Sequence, residues 1–185
     1  MGAAPEDPCP EPSFAELGRR LADALDATLA GFVEGCVLAR LAEAGRPVDE
    51  AARDRARRAG RAAAEAVLPR LHELLAADAA SQATTPLALV RRAIPFATAA
   101  LADLEVEPVP RDPFRRARFP EDHYDLVPGS MAALGAEVGE LAIAWGAAKA
   151  RVHRCRQAGS DPHPPSGGRA KPGSNGTTSS GRPSQ

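Results

Sequence analysis

The stretch "SFAELGRRLADALDATLAGFVEGCVLARLAEAG", Ser13–Gly45, decides the fold class. Ser13 followed three residues later by Glu16 is a capping box, in which the hydroxyl accepts from the Glu16 amide and the carboxylate reaches back. Leu17, Leu21, Leu25, Leu29 (with Thr28 beside it), Phe32 and Cys36 then recur at steps of three and four. That spacing places side chains on one face of a helix with 3.6 residues per turn. The pattern continues through Leu38 and Leu41 and stops at Gly45, with Pro47 beyond it. It predicts one helix of about thirty residues. Gly31 and Gly35, one turn apart inside it, weaken the helix and are expected to admit a second backbone closely.

Outward from this segment the same periodicity returns three times. Asp49 is a good N-cap for a second helix, with Glu50 in its positive first turn. Its inward stripe is alanine at first (Ala52, Ala56, Ala59, Ala63, Ala66) and leucine later (Leu71, Leu74, Leu75), and Pro69 predicts a kink or break near Val67. In "TTPLALVRRAIPFATAALADL", Thr85 caps, Pro86 suits the first helical position, and Leu87, Val90, Ile94, Ala97, Leu101 and Leu104 form the stripe, with a kink expected at Pro95. A fourth helix follows Ser130 as N-cap, with Leu134, Val138, Leu141, Trp145, Ala148, Val152 and Cys155 spaced 4-3-4-3-4-3. No alternation of β-branched residues suggests a sheet. The expectation is an all-α fold: a bundle of about four helices with a long proline- and aromatic-rich strap, residues 105–129, between the third and fourth.

Composition sets the limits around that bundle. The chain has 185 residues and a net charge of −1, which speaks against a general nucleic-acid binder. Residues 1–12, with four prolines and three acids, and residues 158–185, almost without large apolar side chains, are expected to stay disordered. That leaves a single helical domain at 13–157. Cys9, Cys36 and Cys155 are far apart and form no C-x-x-C pair, so a disulfide framework or zinc knuckle is not expected. Cys36 and Cys155 fall on apolar stripes, where cysteine behaves as a small hydrophobe. No ~20-residue apolar span and no basic-then-apolar leader is present, so the reading is a cytoplasmic protein with no membrane partner.

The strap is the place where chemistry is expected. "RDPFRRARFPEDHYDL", Arg111–Leu126, packs four arginines, four acids, a histidine and three aromatics into sixteen residues. A connection this long in a small domain is usually functional or disordered, and its prolines and apolar anchors argue for order. The candidate ligand or partner residues are Arg115, Arg116, Arg118, Asp122, His123 and Tyr124, joined by Arg91 and Arg92 of the third helix and by Lys149, one turn after Trp145. Arginine forks suit carboxylates and phosphates, and a histidine between acids can move a proton. Against this stands the reading that the balanced charges pair with one another, with Arg91 or Arg92 pairing Asp122 or Asp125 to fix the strap's path. Gly146 is expected to let the strap or a helix approach Trp145.

Other chemistries fail on inspection. "HELLA" at His72 has Ala76 where a zinc-protease helix needs its second histidine. No G-x-S-x-G elbow, phosphate loop or dinucleotide turn is present, so no metal, cofactor or catalytic residue is assigned. From Lys149 onward seven basic residues face the single acid Asp161, a charge that a nucleic acid or the dipole of the preceding helix would favour.

The block "TTPLALVRRAIPF … VPRDPFRRARFPEDHYDLVPGS … AWGAAKARVHR", about Thr84–Arg154, resembles a family of hypothetical proteins from high-GC actinobacteria. That resemblance implies no activity, cofactor or site residue. The first-ranked function is therefore a non-enzymatic binding or regulatory module that recognises a protein partner through the strap and the third-helix arginines. A homo-oligomer is also open, since Gly31 and Gly35 permit dimer packing. The alternatives are a small-ligand site or enzyme using His123, Asp122 and Tyr124, and, last, weak nucleic-acid contact through the basic end.

Overall fold

A computed structural model of the chain describes residues 13–77, 84–108 and 113–159. The expected N-terminal tail lies outside the described residues, as does the expected C-terminal tail from residue 160 on. In chain order the helices are α1 (Phe14–Glu43), α2 (Glu50–Ala76), α3 (Pro86–Val90), α4 (Ile94–Asp103), α5 (Pro113–Arg118) and α6 (Ala136–Gly159). Tight 3₁₀ turns at Arg91–Ala93 and Met131–Leu134 complete the order, and no strand occurs among the described residues. The chain is all-α, as its periodicity predicts.

Local chemistry sets where the helices begin and end. Ser13 Oγ accepts from the Glu16 amide at 3.2 Å, Asp49 Oδ1 from Ala52 at 2.8 Å and Thr85 Oγ1 from Ala88 at 3.3 Å. Only half of the expected capping box is made at Ser13. The Glu16 carboxylate turns to Arg19 instead, 2.7 Å away, and that hydrogen bond lowers its pKa. At the other end of α1, Gly45 takes φ 66° and Arg46 N donates to Leu41 O, closing the helix with a left-handed glycine.

α1 and α2 lie antiparallel and form the main interface. The α1 stripe is Leu17, Leu21, Leu25, Leu29, Val33, Val37 and Leu41, all buried. Its second half is thus a strict four-residue repeat through Val33 and Val37, and Phe32 and Cys36 are only half-buried. Opposite it lie Ala52, Ala56, Ala59, Ala63, Val67, Leu71 and Leu75, with Ala66 exposed and Leu74 half-buried. Each fully buried leucine contributes about 1.5–3 kcal/mol.

Two glycines set the closeness of this pair. A Cβ on Gly18 would stand 2.6 Å from Leu75 O, and one on Gly60 would run into Ala30 O. Gly31 and Gly35, expected to do this, instead face open space, as does Gly146.

The remaining helices close the core. α4 packs against both α1 and α2. α6 runs back along α1, with the Trp145 ring stacked on Phe14 at 5.3 Å between centroids. Pro69 does not break α2, which continues through it; the carbonyl it leaves free, on Glu65, lies on the exposed side where water can satisfy it. In the third segment the irregularity falls at Arg91–Ala93, just before Pro95, and divides one expected helix into α3 and α4. Ser130 caps the 3₁₀ turn rather than α6, and makes no side-chain cap bond. Gly135 at φ 153° then redirects the chain into α6, so Leu134 belongs to the turn and not to the helix.

Candidate functional site

The strap leaves α4 at Leu104 and returns at Ser130. Its first leg is fixed where Glu105 takes φ 52° and Val106 N donates to Leu101 O at 3.0 Å. Arg46 reaches across from the α1–α2 connection to hold Leu104 O at 3.2 Å, and Arg55 pairs with Asp103 at 2.7 Å. These contacts join the α2 side of the bundle to the end of α4 and give the strap its exit direction.

The second leg is organised by Asp122, the one charged residue among the buried positions described, at 2% exposure. Its Oδ1 accepts from Tyr124 N at 3.2 Å and its Oδ2 from Val127 N at 3.1 Å. A carboxylate that takes two backbone amides folds the chain around itself, as an N-cap does at a helix start. Asp125 takes φ 62° inside this turn, a conformation that aspartate tolerates better than most residues. Tyr124, thereby turned inward, donates its hydroxyl to Val106 O at 2.9 Å and ties the second leg to the first. Burial pushes the Tyr124 phenol up from its usual range, and Glu107 adds to the shift.

Between the legs the chain forms α5, a short helix with no buried residue. Phe119 N donates to Arg115 O at 2.8 Å and Asp122 N to Phe119 O at 3.2 Å, which link α5 to the Asp122 turn. Arg115 pairs with Asp125. Phe119 is clasped by two guanidinium groups, Arg91 at 5.0 Å and Arg118 at 5.3 Å from its ring centre. Arg91 also donates Nε to Pro128 O at 3.2 Å. The outer side carries Phe114, 86% exposed, with Arg116 and Arg118, neither of which has an ion pair among the described residues.

The candidate residues therefore separate into three groups. Arg91, Asp122 and Tyr124 build the strap: Arg91 supports it from α3's end, and the other two sit inside it. Arg115 ties α5 to Asp125, while Arg116 and Arg118 are exposed on α5, Arg118 with its guanidinium over Phe119. Arg92, His123 and Lys149 do not join the group. Arg92 is exposed toward α2, beside Arg70 and Glu73. Neighbouring positions on a helical turn point in different directions, so an "RR" pair cannot serve one face. His123 is exposed between its buried neighbours and points away from the turn. Lys149 lies over the Trp145 ring at 5.4 Å. Trp145 packs at Phe14, whereas the strap lies against Cys36–Glu43, about 33 Å along α1 at 1.5 Å per residue.

The expected pairing of Arg91 with Asp122 or Asp125 is not made. Asp122 is taken up by backbone amides and Asp125 by Arg115. Reasoning from sequence missed α5, since the strap's five prolines suggested extended chain throughout. The available signal was Pro113 at a first helical position ahead of "FRRAR".

Two other places were candidates for chemistry. A depression of about 710 Å³ lies at the opposite end beside Phe14, Gly18, Leu75 and Val152. Of its rim charges, Arg19 pairs with Glu16 and Asp23, and His72 with Asp26 at 2.8 Å. Cys36, half-buried beside the strap, has its thiol pushed up to about 11 by burial first and by Asp122 second, so it is not an activated nucleophile. Cys155, expected on the apolar stripe, is exposed. Among the described residues no three acids, histidines or cysteines gather as a metal site, and no helix is long and apolar enough to cross a membrane. Comparison with family models, curated proteins and solved structures finds no match.

Proposed function

We propose that this chain is a non-enzymatic helical binding module that recognises a protein partner through the outer side of the strap. The observation that carries the reading is Phe114, 86% exposed on a helix that buries nothing, with Arg118 one turn further along the same side. An exposed aromatic ring with an arginine beside it is the composition of an interface centre, since both residue types gain much contact on docking. The chemistry asks for a partner with an apolar pocket bordered by carboxylates. The strap's interior supports this reading, because a surface fixed by Asp122, Tyr124 and Arg91 gives up little order when it binds. The exposed position of His123 and the engagement of Asp122 with backbone amides weigh against a proton-transfer site.

The test is a photo-cross-linking residue, p-benzoylphenylalanine, at position 114 of the full chain in its native cell. The expected result is a discrete protein adduct that Arg116→Glu with Arg118→Glu removes. The same residue at position 51, exposed at the start of α2, should give none. Absence of an adduct at 114 would overturn the proposal.

A further inference from the structure

Three depressions adjoin one another through shared lining residues. The first, about 220 Å³, lies under α5 between Phe114 and Val127. It shares Asp125, Val127 and Gly129 with a second of about 420 Å³ that crosses the strap to Cys36 and Arg40. That one shares Phe32, Cys36, Ala39 and Ala133 with a third of about 580 Å³ along the outer face of α1. The α1 part, from Ala27 to Ala39, has no charged lining residue, and a side chain at Gly31 or Gly35 would meet nothing within 4 Å. At its strap end stands Arg40, which pairs with Glu43 through Nη1 and keeps a buried Nε without a hydrogen-bond partner.

The same molecule carries a face that fits this groove. Besides Phe114, the large hydrophobic side chain left exposed among the described residues is Ile143 on α6, at 75%. Around it α6 exposes Ala136, Glu140, Ala147 and Ala150, one side of a helix with small residues and an acidic start at Glu137 and Glu140. Neither glutamate has an ion pair among the described residues.

The spacing agrees as well as the chemistry. Glu140 and Glu137 precede Ile143 by about 4.5 and 9 Å along α6, and Arg40 follows Gly35 by about 7.5 Å along α1. An isoleucine seated at the Gly31–Gly35 notch thus brings Glu140 to the level of Arg40 and its unpartnered Nε, at the end that leads toward Arg118 of α5, when the helices run antiparallel. Every backbone group in the middle of α1 is already used within its helix, so the groove cannot take an extended strand by backbone pairing. A helix is the form that fits it.

We infer that the groove on α1 receives the Ile143 face of α6 from a second copy of this chain, in a reciprocal pair that buries both. The inference rests on the reading of the strap as a partner surface, and it names a second copy as the occupant of that surface's α1 side. Such a pair is isologous: each copy offers its groove and its α6 face once.

The test uses the full chain in sedimentation or light-scattering measurements of mass against concentration. The wild type should pass from monomer to dimer below about 100 µM, and Gly35→Glu and Ile143→Glu should each weaken association by about tenfold or more. Gly35 is exposed on a helix with open space, so Gly35→Glu leaves the monomer folded. Glu137→Arg with Glu140→Arg should weaken association as well.

Geometry is read by mixing two populations in a background with Cys9, Cys36 and Cys155 changed to serine, one with Gly35→Cys and one with Ile143→Cys. Oxidation should join unlike copies in preference to like ones. A chain that stays monomeric throughout, a dimer indifferent to these substitutions, or unselective oxidation overturns the inference. A protein adduct at position 114 with a different protein would still leave the strap reading standing, whereas no adduct at 114 would remove that reading even if the dimer forms.

Discussion

Asp122 is a charged side chain with almost no access to water, and its position is explained by what its two oxygens accept. A buried carboxylate without partners would be costly, while one that satisfies the Tyr124 and Val127 amides replaces its lost hydration with charge-assisted bonds. Its charge also acts on a neighbour. Burial and then Asp122 raise the Cys36 thiol to about 11, so at pH 8 only about one thousandth of it is thiolate. In a chain whose other cysteines are serine, Cys36 labelling by a disulfide reagent should rise about tenfold per pH unit until near pH 11. A plateau near pH 9 would show that the thiol is not held in its protonated form. The sign is that of a raised acid: the neutral thiol persists through the range where an unfolded cysteine ionises.

Among the elements, the helices show which features of the chain can be read locally. Ser13, Asp49 and Thr85 cap where their residue types and positions say they should, since a cap is a contact over three residues. The glycines do not declare their roles in the same way. Gly18 and Gly60 are tight against carbonyls of the facing helix, while Gly31 and Gly35 look outward, and only the packing of α1 on α2 distinguishes them. The two kinds should respond oppositely to alanine. Gly60→Ala should destabilise by about 2–3 kcal/mol, as overpacking against fixed backbone does. Gly31→Ala should stabilise by about 0.5–1 kcal/mol through helix propensity. Urea unfolding midpoints measure both, and a stabilising Gly60→Ala would contradict the close approach. α5 and the Asp122 turn were hidden for a related reason. The order of the strap depends on contacts between Tyr124 and Val106 and between Arg91 and Pro128, which lie 18 and 37 residues apart.

For the whole molecule, the periodic stripes were enough to give an all-α chain, because each stripe is a local pattern and the bundle needs only to bury it. The candidate site was legible as a region but not as roles. The sequence presents Arg91, Asp122 and Tyr124 in the same company as Arg116 and Arg118, and the fold sends the first three inward and the last two outward. The resulting account makes the strap part of the bundle, a segment fixed from within so that α5 can be displayed without. Hydrogen exchange resolved at single amides tests that most directly. In the wild type the Tyr124 and Val127 amides should be protected at a level comparable with buried α4 amides, while exposed α5 exchanges quickly. Asp122→Ala should speed exchange at both amides by about tenfold or more, given about 1–3 kcal/mol for orphaned buried donors, and leave the middle of α1 protected. Tyr124 and Val127 amides that exchange in the wild type at unprotected-chain rates would contradict the account.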